Sequence, residues 1–186
     1  IIIGVPVGVV AAARPDGTLD FFARSAAILG LSIPAFVKAI VIILLPAIWW
    51  GWSPTIRFVE FSKDPATYIL QFVLPAIILG IASAAAIMRL TRGMLLELLR
   101  QDYVRTAWAK GLRERVVVLK HALKNALIPV VTVLGPQVAQ IASGAVIIEV
   151  ILSLPGMGQL LVESIIQRDY PVIQGINLLI VSMIVA

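Results

Sequence analysis

A cationic stretch, residues 89–124, contains the side chains of this sequence best suited to recognise another molecule. It holds nine of the fifteen Lys and Arg residues, offset only by Glu97, Asp102 and Glu114. The nine are Arg89, Arg92, Arg100, Arg105, Lys110, Arg113, Arg115, Lys120 and Lys124. A Lys or Arg at the centre of a hydrocarbon layer costs about 2.5–3.5 kcal/mol. The stretch therefore lies outside the hydrocarbon, and its helix formers around a central Gly are typical of a docking surface for a soluble partner.

Few other polar side chains in the sequence could act chemically. Glu149 either faces a polar pathway through a membrane, where it could meet an ammonium group, or lies solvated at the interface. Lys38 either lines a cavity or extends its apolar stem towards the interface. His121 is the only His, so helix-surface packing is favoured over a metal site. The sequence has no Ser–His pair, paired carboxylates or HExxH pattern, which disfavours a membrane enzyme.

The composition places the chain in a lipid bilayer. Of its 186 residues, 60% are hydrophobic and 13% are charged, whereas soluble domains carry about 25% charged residues. The net charge of +5 is concentrated between apolar runs, so it indicates membrane orientation rather than nucleic-acid binding. The absence of Cys excludes disulfides, thiol redox chemistry and Cys-ligated metals.

Apolar runs predict about five membrane segments. We expect them at residues 1–13, 26–49, 68–88, 126–151 and from 170 to the chain end. Because the sequence opens and stops inside apolar runs, we expect a fragment that lacks at least one N-terminal helix and a short tail. A Leu-Pro-Gly-Met-Gly turn at 154–158 precedes a predicted amphipathic surface helix at 159–168.

The distribution of cations between the loops predicts the orientation. Loops 14–24 and 89–124, which share one side, hold 11 Lys or Arg residues, whereas loops 50–67 and 152–169 hold 3. Cytoplasmic loops carry the excess of Lys and Arg, so residues 89–124 are predicted to face the cytoplasm.

Residues 102–124 are predicted to form a helix, a turn and a second helix. Gly111 can end the first helix because Gly accepts a positive φ without steric cost. In the second helix, α-helical spacing places Leu112, Val116, Leu119 and Leu123 on one stripe. This pattern fits a docking surface, and it also fits a solvated loop that only sets the membrane topology.

Several runs in a fixed order resemble the permease subunits of binding-protein-dependent ABC importers. Residues 105–111, RTAWAKG, are similar to the EAA loop of these permeases, and residues 119–129, LKHALKNALIP, are similar to the dipeptide and oligopeptide branch. Arg105 and Thr106 replace the Glu and Ala of the broad motif, as is usual in that branch. Further similar runs are residues 30–36, 74–76, 89–92, 154–158 and 168–175.

The resemblance implies an all-α polytopic membrane bundle, the transmembrane domain of a type I ABC importer, with residues 1–186 in a single permease domain. It implies that residues 89–124 form a coupling loop that fits a groove on an ATP-hydrolysing subunit. Ala107 and Gly111 would permit close approach, and Arg105 and Lys110 could pair with acidic groups. The expected coupling residues are Asp102, Arg105, Thr106, Ala107, Lys110, Gly111 and Leu112.

The resemblance also implies partners and a location. We expect two ATP-binding subunits, a second and different permease chain, an external solute-binding protein, and lipid of a bacterial or archaeal cytoplasmic membrane. Nucleic acid is not an expected partner. No cofactor is expected on this chain, which lacks a GxxxxGK[ST] phosphate loop. Dipeptides and oligopeptides are the expected solutes, although nickel and glutathione importers share this permease type.

An ion- or proton-coupled secondary transporter is the alternative. It would need an acid relay inside the membrane, for which only Glu149 and Lys38 are candidates.

Overall fold

The described part of the chain is helical throughout. A computed structural model describes residues 1–52 and 58–185, in which no β-strand occurs. Pro54 and Arg57 of the predicted loop 50–67, and Ala186 at the end of the fifth predicted segment, lie outside the described residues. The helices are α1 (Gly4–Ala13), α2 (Thr18–Ser32), α3 (Ala35–Trp50), α4 (Pro65–Leu98), α5 (Asp102–Ala109), α6 (Glu114–Val116), α7 (Leu123–Thr132), α8 (Leu134–Leu152), α9 (Met157–Gln167) and α10 (Tyr170–Val185), with a π-helical segment, π1 (Val117–Ala122), joining α6 to α7. The predicted all-α class is confirmed.

Two helices of the described residues are long and apolar enough to cross a membrane alone. These are α4, with 34 residues, and α8, with 19. Helices α2 and α3 pass the same test only as a sharply bent pair, which is one broken span or a re-entrant loop. Helices α1 and α10 are apolar but have 10 and 16 residues, fewer than the roughly 20 that a perpendicular span needs.

The second predicted segment, residues 26–49, is not one helix. Helix α2 ends at Ser32, and Pro34 precedes α3 with an extended backbone, φ −57° and ψ 150°. Proline has no N–H and disfavours the helical conformation of the residue before it. Helix α2 itself begins at Thr18, before the predicted start of the segment near Ala26.

The fourth predicted segment, residues 126–151, is interrupted at Val133, between α7 and α8. Pro136 follows three residues later and lacks the N–H that would bond the carbonyl four positions earlier. The helix ladder is therefore broken where the apolar pattern in the sequence continues.

The cationic stretch does not begin as a loop. Helix α4 continues to Leu98, so the first ten residues of the stretch, 89–98, extend the apolar helix. This extension is rich in Leu and Met, which favour helix formation. Arg89 and Arg92 therefore lie on the same helix as the third predicted membrane segment.

The described residues form two compact units. One comprises Ile1–Ser32 and Ile81–Gly135, and the other comprises Ile33–Gly80 and Pro136–Ala186 over their described residues. Each unit has its own buried apolar cluster. The predicted coupling residues lie in the first unit, whereas Glu149 lies in the second.

In the first unit, α1 packs against α4 at close range. A Cβ atom added to Gly4 would lie 2.6 Å from the carbonyl oxygen of Ala84, and one added to Gly8 would lie 2.8 Å from that of Met88. This Gly-x-x-x-Gly spacing lets two helix backbones approach, as at many helix contacts within membranes. The close approach fixes α1 on the half of α4 that leads into the cationic stretch.

In the second unit, α4 begins with a capped turn. The Asp64 carboxylate accepts the hydroxyl hydrogen bond of Thr67 at 2.6 Å and the N–H bonds of Thr67 and Ala66 at 3.2 and 3.0 Å. These hydrogen bonds, that of the Thr67 hydroxyl first, lower the pKa of Asp64 from its ordinary value. Pro65 then occupies the first helical position, where its missing N–H costs nothing.

Candidate functional site

The predicted helix, turn and helix are present at residues 102–122, which we call the hairpin. Helix α5 ends at Ala109, and the N–H of Gly111 donates to the carbonyl of Trp108 at 2.8 Å. Gly111 has φ +80°, and a Cβ added there would meet no other atom within 4 Å. The turn therefore requires Gly for its backbone conformation and not for lack of space.

The inner side of the hairpin is packed into the first unit. Val104 on α5 and Val117 on π1 are fully buried in one cluster with Leu95 of α4. Ala107 belongs to the same cluster and is only 7% exposed. Its small side chain therefore lets α5 approach the core of the chain itself, whereas the sequence had suggested close approach of a partner at this residue.

The charged residues predicted for the site lie on the outer side. The side chains of Asp102 and Arg105 are 97% and 73% exposed, with Oδ1 and Nη1 3.6 Å apart. An exposed ion pair of this kind contributes about 0–1 kcal/mol, so Arg105 remains available to another partner. The Thr106 hydroxyl donates to the carbonyl of Asp102 at 2.8 Å, and Lys110 is exposed after the end of α5.

The predicted apolar stripe is not the packed face of the second helix. Val117, Val118 and Ala122 are buried, whereas Val116 and Leu119 are exposed. The packed face is marked instead by Val118, Ala122, Ala126 and Val130, which are spaced by four residues and are all buried. Residues 116–119 are all apolar, so the sequence pattern alone does not decide which side is packed.

Large apolar side chains are therefore left exposed on the hairpin. They are Tyr103, Trp108, Leu112, Val116 and Leu119. Of these, only Leu112 was a predicted site residue. Trp108 could have been identified from its place in the RTAWAKG run, between the predicted site residues Ala107 and Lys110.

Glu149 has a defined structural role in the second unit. Its Oε2 atom accepts the N–H of Gly158 at 2.7 Å and that of Gln159 at 3.3 Å. These N–H groups belong to the first turn of α9, which has no cap from its own N-cap residue, Gly156. The carboxylate therefore caps α9 from another helix, a geometry that neither sequence alternative anticipated.

The turn before α9 has room only for glycine at two positions, Gly156 and Gly158. A Cβ added to Gly156 would overlap the carboxyl group of Glu149, and one added to Gly158 would lie 2.5 Å from Cα of Val146. Both positions need Gly so that the carboxylate can reach the backbone. A helix is present where one was predicted at 159–168, as α9, Met157–Gln167, and its surface location stays a prediction.

Lys38 lies on α3 and is 7% exposed. Whether Lys38 lines a cavity or extends its stem towards the interface stays a prediction.

One buried ion pair was not found by sequence reasoning. Asp20 is fully buried, and Arg92 donates to it twice, from Nε to Oδ1 at 2.6 Å and from Nη2 to Oδ2 at 2.7 Å. The N–H of Asp16 also donates to Oδ2 at 3.0 Å. The partners are 72 positions apart, and Asp20 falls within the predicted loop 14–24.

The chain matches a protein-family model described as binding-protein-dependent transport system inner membrane component, over residues 4–186. It is 46% identical over 183 residues to "Dipeptide transport system permease protein DppB" of Bacillus subtilis, covering 94% of this chain and 54% of that protein. It is 42% identical over 175 residues to "Glutathione transport system permease protein GsiC" of Pectobacterium atrosepticum, covering 94% and 55%. It is also 38% identical over 206 residues to the Escherichia coli protein that carries the DppB name, covering 98% and 61%.

The chain thus spans between about half and three fifths of the length of these curated relatives. The family match spans residues 4–186, the range that contains the hairpin, Asp20, Arg92 and the turn before α9.

Proposed function

The chain belongs to the family of binding-protein-dependent transport system inner membrane components, and on this premise we propose that it is part of a permease subunit of an ATP-driven peptide importer. The similar proteins named above are called permeases of dipeptide and glutathione transport systems. Glutathione is itself a tripeptide, so short peptides are the solute class common to these names. The chain would form half of the translocation pathway, and ATP would be hydrolysed on partner subunits and not on this chain.

The observation that carries this proposal is the hairpin, packed on one side and open on the other. Its inner residues are locked against α4, whereas Trp108, Leu112 and the cation Arg105 stay exposed. Aromatic and Arg side chains supply much of the binding energy in protein interfaces. A rigid hairpin with such residues on its outer side suits a mechanical contact with a second protein.

The proposed partner at the hairpin is an ATP-binding subunit on the cytoplasmic side. Arg105 and Lys110 would pair with acidic groups of that subunit, while Leu112 would contribute apolar area. Asp102 and Thr106 would stabilise the first turn of α5, and Gly111 would supply the turn. The excess of Lys and Arg in residues 89–124 supports this orientation.

The assembly proposed around this chain has four further proteins. Two ATP-binding subunits would each receive one hairpin, one from this chain and one from a second, different permease chain. An external solute-binding protein would deliver the peptide, as the family description indicates. The membrane would be the inner membrane of a bacterium.

The family membership favours this function over an ion- or proton-coupled transporter. That alternative depended on Glu149 and Lys38 as a relay, and the Glu149 carboxylate is bound to the backbone of α9. A pathway role for Lys38 or Glu149 stays a prediction. Uptake into vesicles separates the two functions, because ATP withdrawal stops the importer and dissipation of the proton gradient stops the alternative.

Association with the ATP-binding subunits tests the proposal. In the full-length permease, Trp108→Ala and Arg105→Glu should each weaken co-purification of these subunits more than about tenfold, since loss of an interface anchor costs roughly 2 kcal/mol or more. Deletion of residues 102–112 should abolish it, with membrane insertion retained. Matched changes at exposed residues of the predicted opposite side, Trp52→Ala and Lys63→Glu, should have no effect. Association retained after the deletion would remove the basis of the proposal.

Labelling tests the orientation independently. A Lys110→Cys variant should react with a membrane-impermeant maleimide only when the reagent reaches the cytoplasmic side. Labelling of intact cells from outside would place the hairpin on the wrong side for any ATP-binding subunit.

A further inference from the structure

The Asp20–Arg92 pair lies where three parts of the first unit meet. Asp20 is at the start of α2, Arg92 is on α4, and Asp16, whose N–H bonds the same carboxylate, belongs to the connection from α1. Arg24 adds a longer contact, 3.6 Å from its Nε to Oδ2, and is 41% exposed against 17% for Arg92. Only the contact with Arg92 is bidentate, which fixes the relative orientation of two planar groups.

The pair is also close to the base of the hairpin. Arg92 precedes Leu95 by three residues on α4, which is about one helical turn. Leu95 is fully buried in the cluster that holds Val104 of α5 and Val117 of π1. The same turn of α4 therefore contacts the hairpin through apolar packing and α2 through the ion pair.

Apart from this pair, small residues of α2 line much of its contact with α4. Ala27 packs with Ala85 and Met88, and a Cβ added to Gly30 would lie 3.1 Å from Cγ2 of Ile81. Small side chains allow close approach but interlock little, so they resist sliding of one helix along the other weakly. A buried, bidentate ion pair at one end of this smooth contact defines its register.

A purely stabilising role explains the pair poorly. Buried ion pairs are often no more stabilising than apolar side chains of similar volume, because both charges lose their hydration. What the pair provides that apolar residues do not is a single allowed geometry between Asp20 and Arg92.

We propose that Asp20 and Arg92 are positioning residues for coupling, which make α2 move as one body with α4 and the hairpin. This inference rests on the proposed function, in which partner subunits displace the hairpin. With the pair intact, the displacement is passed to α2 without slippage. With the pair broken, α2 slides on α4, and ATP hydrolysis continues with less peptide imported.

The first test measures the ATP hydrolysed per peptide imported. The full complex is reconstituted in proteoliposomes, with radiolabelled alanyl-alanine as the probe. Asp20→Asn and Arg92→Gln should raise the ratio at least about fivefold, the low end for a coupling free energy between sites. Arg92→Lys, which keeps the charge but loses the planar fork, should give a smaller rise. The matched control Arg24→Gln should stay at the wild-type ratio.

The second test measures motion directly and needs no solute. Spin labels are attached to Cys at the exposed positions of Phe22 on α2 and Glu97 on α4. In the full-length protein, the label distance should show one narrow distribution with and without nucleotide on the ATP-binding subunits. Asp20→Asn should broaden it or add a second population, and Arg24→Gln should leave it unchanged.

The outcomes separate the two proposals. Absence of ATP-dependent uptake in the wild-type complex would contradict the proposed function. In that case the spin-label distances would still show whether the Asp20–Arg92 pair holds α2 on α4. Wild-type ratios and distances in Asp20→Asn and Arg92→Gln would overturn the positioning role. If the single variants fail to assemble, the uncharged double variant of Asp20→Asn with Arg92→Gln replaces them. Assembly with a raised ratio supports the proposal, whereas failure to assemble, or a wild-type ratio, counts against it.

Discussion

Replacing Glu149 by Ala removes the acceptor of two N–H groups in the first turn of α9. The bond from Gly158, at 2.7 Å, is short and charge-assisted, whereas the bond from Gln159, at 3.3 Å, is weaker. A hydrogen bond to a charged group contributes roughly 1.5–3 kcal/mol. Since Glu149 is half-buried, so that water can partly replace it, we expect a loss of about 2 kcal/mol in the local stability of α9.

Hydrogen exchange of the α9 backbone amides measures this loss in the full-length protein in lipid nanodiscs. A loss of about 2 kcal/mol corresponds to exchange roughly 30-fold faster. Glu149→Gln keeps an acceptor but loses the charge that favours a helix N-terminus, a change of about 1 kcal/mol or fivefold in rate. The control is Glu163→Gln, on the exposed side of α9, where the carboxylate accepts a hydrogen bond from the side chain of Gln159 and from no other described residue.

The three variants should therefore rank Glu149→Ala, Glu149→Gln and Glu163→Gln in decreasing effect. Exchange in α9 that stays at the wild-type rate in Glu149→Ala would show that the carboxylate does not hold this helix. An equal effect of Glu163→Gln would show that the loss of negative charge, and not the cap, governs the result.

Three further substitutions test the packing of the first unit. Gly8→Ala should destabilise the detergent-solubilised protein by about 1–3 kcal/mol, because the new Cβ meets the α4 backbone. The control Gly93→Ala, in open space on α4, should be neutral or stabilising by up to about 1 kcal/mol. Equal unfolding midpoints for the two variants would contradict the close α1–α4 contact. Gly111→Ala should speed hydrogen exchange in α5, because a residue with a side chain is strained at φ +80° by about 1–2 kcal/mol. Gly111→Asn should have a smaller effect. Equal exchange rates for the two variants would show that the positive φ is not why Gly is needed here. Leu95→Ala should cost about 2–5 kcal/mol and remove the exchange protection of α5, since Leu95 is fully buried against it; retained protection would mean that the hairpin is held elsewhere.

Local patterns predicted much of the fold because they act over a few residues. The apolar runs predicted helices, and Gly111 predicted the turn of the hairpin, which the positive φ confirms. Prediction was wrong where a local break interrupts an apolar run, as at Pro34. It was also wrong about the packed face of the second helix of the hairpin, because residues 116–119 are all apolar and the pattern does not distinguish the buried side, on which Val118 and Ala122 lie.

The sequence named the candidate site residues but did not show on which side of the hairpin each one lies. The RTAWAKG run identified the outer cation Arg105 together with Ala107, and only the packing against Leu95 shows that Ala107 points inward. Trp108 was missed because no spacing rule distinguished it from the residues around it. Its exposure follows from which side of α5 the cluster covers.

By itself the sequence determined the membrane character, the side predicted for the cationic stretch and the hairpin, because hydropathy, charge and glycine conformation act locally. Only the tertiary structure decided that Asp20 is bound by Arg92 and that Glu149 caps α9. These contacts join residues from different helices, and the type of a charged residue does not indicate which partner it will bind. The partner depends on which helices pack together and how closely. Here close packing depends on glycines, and the sequence does not show which of them lie against a neighbouring backbone.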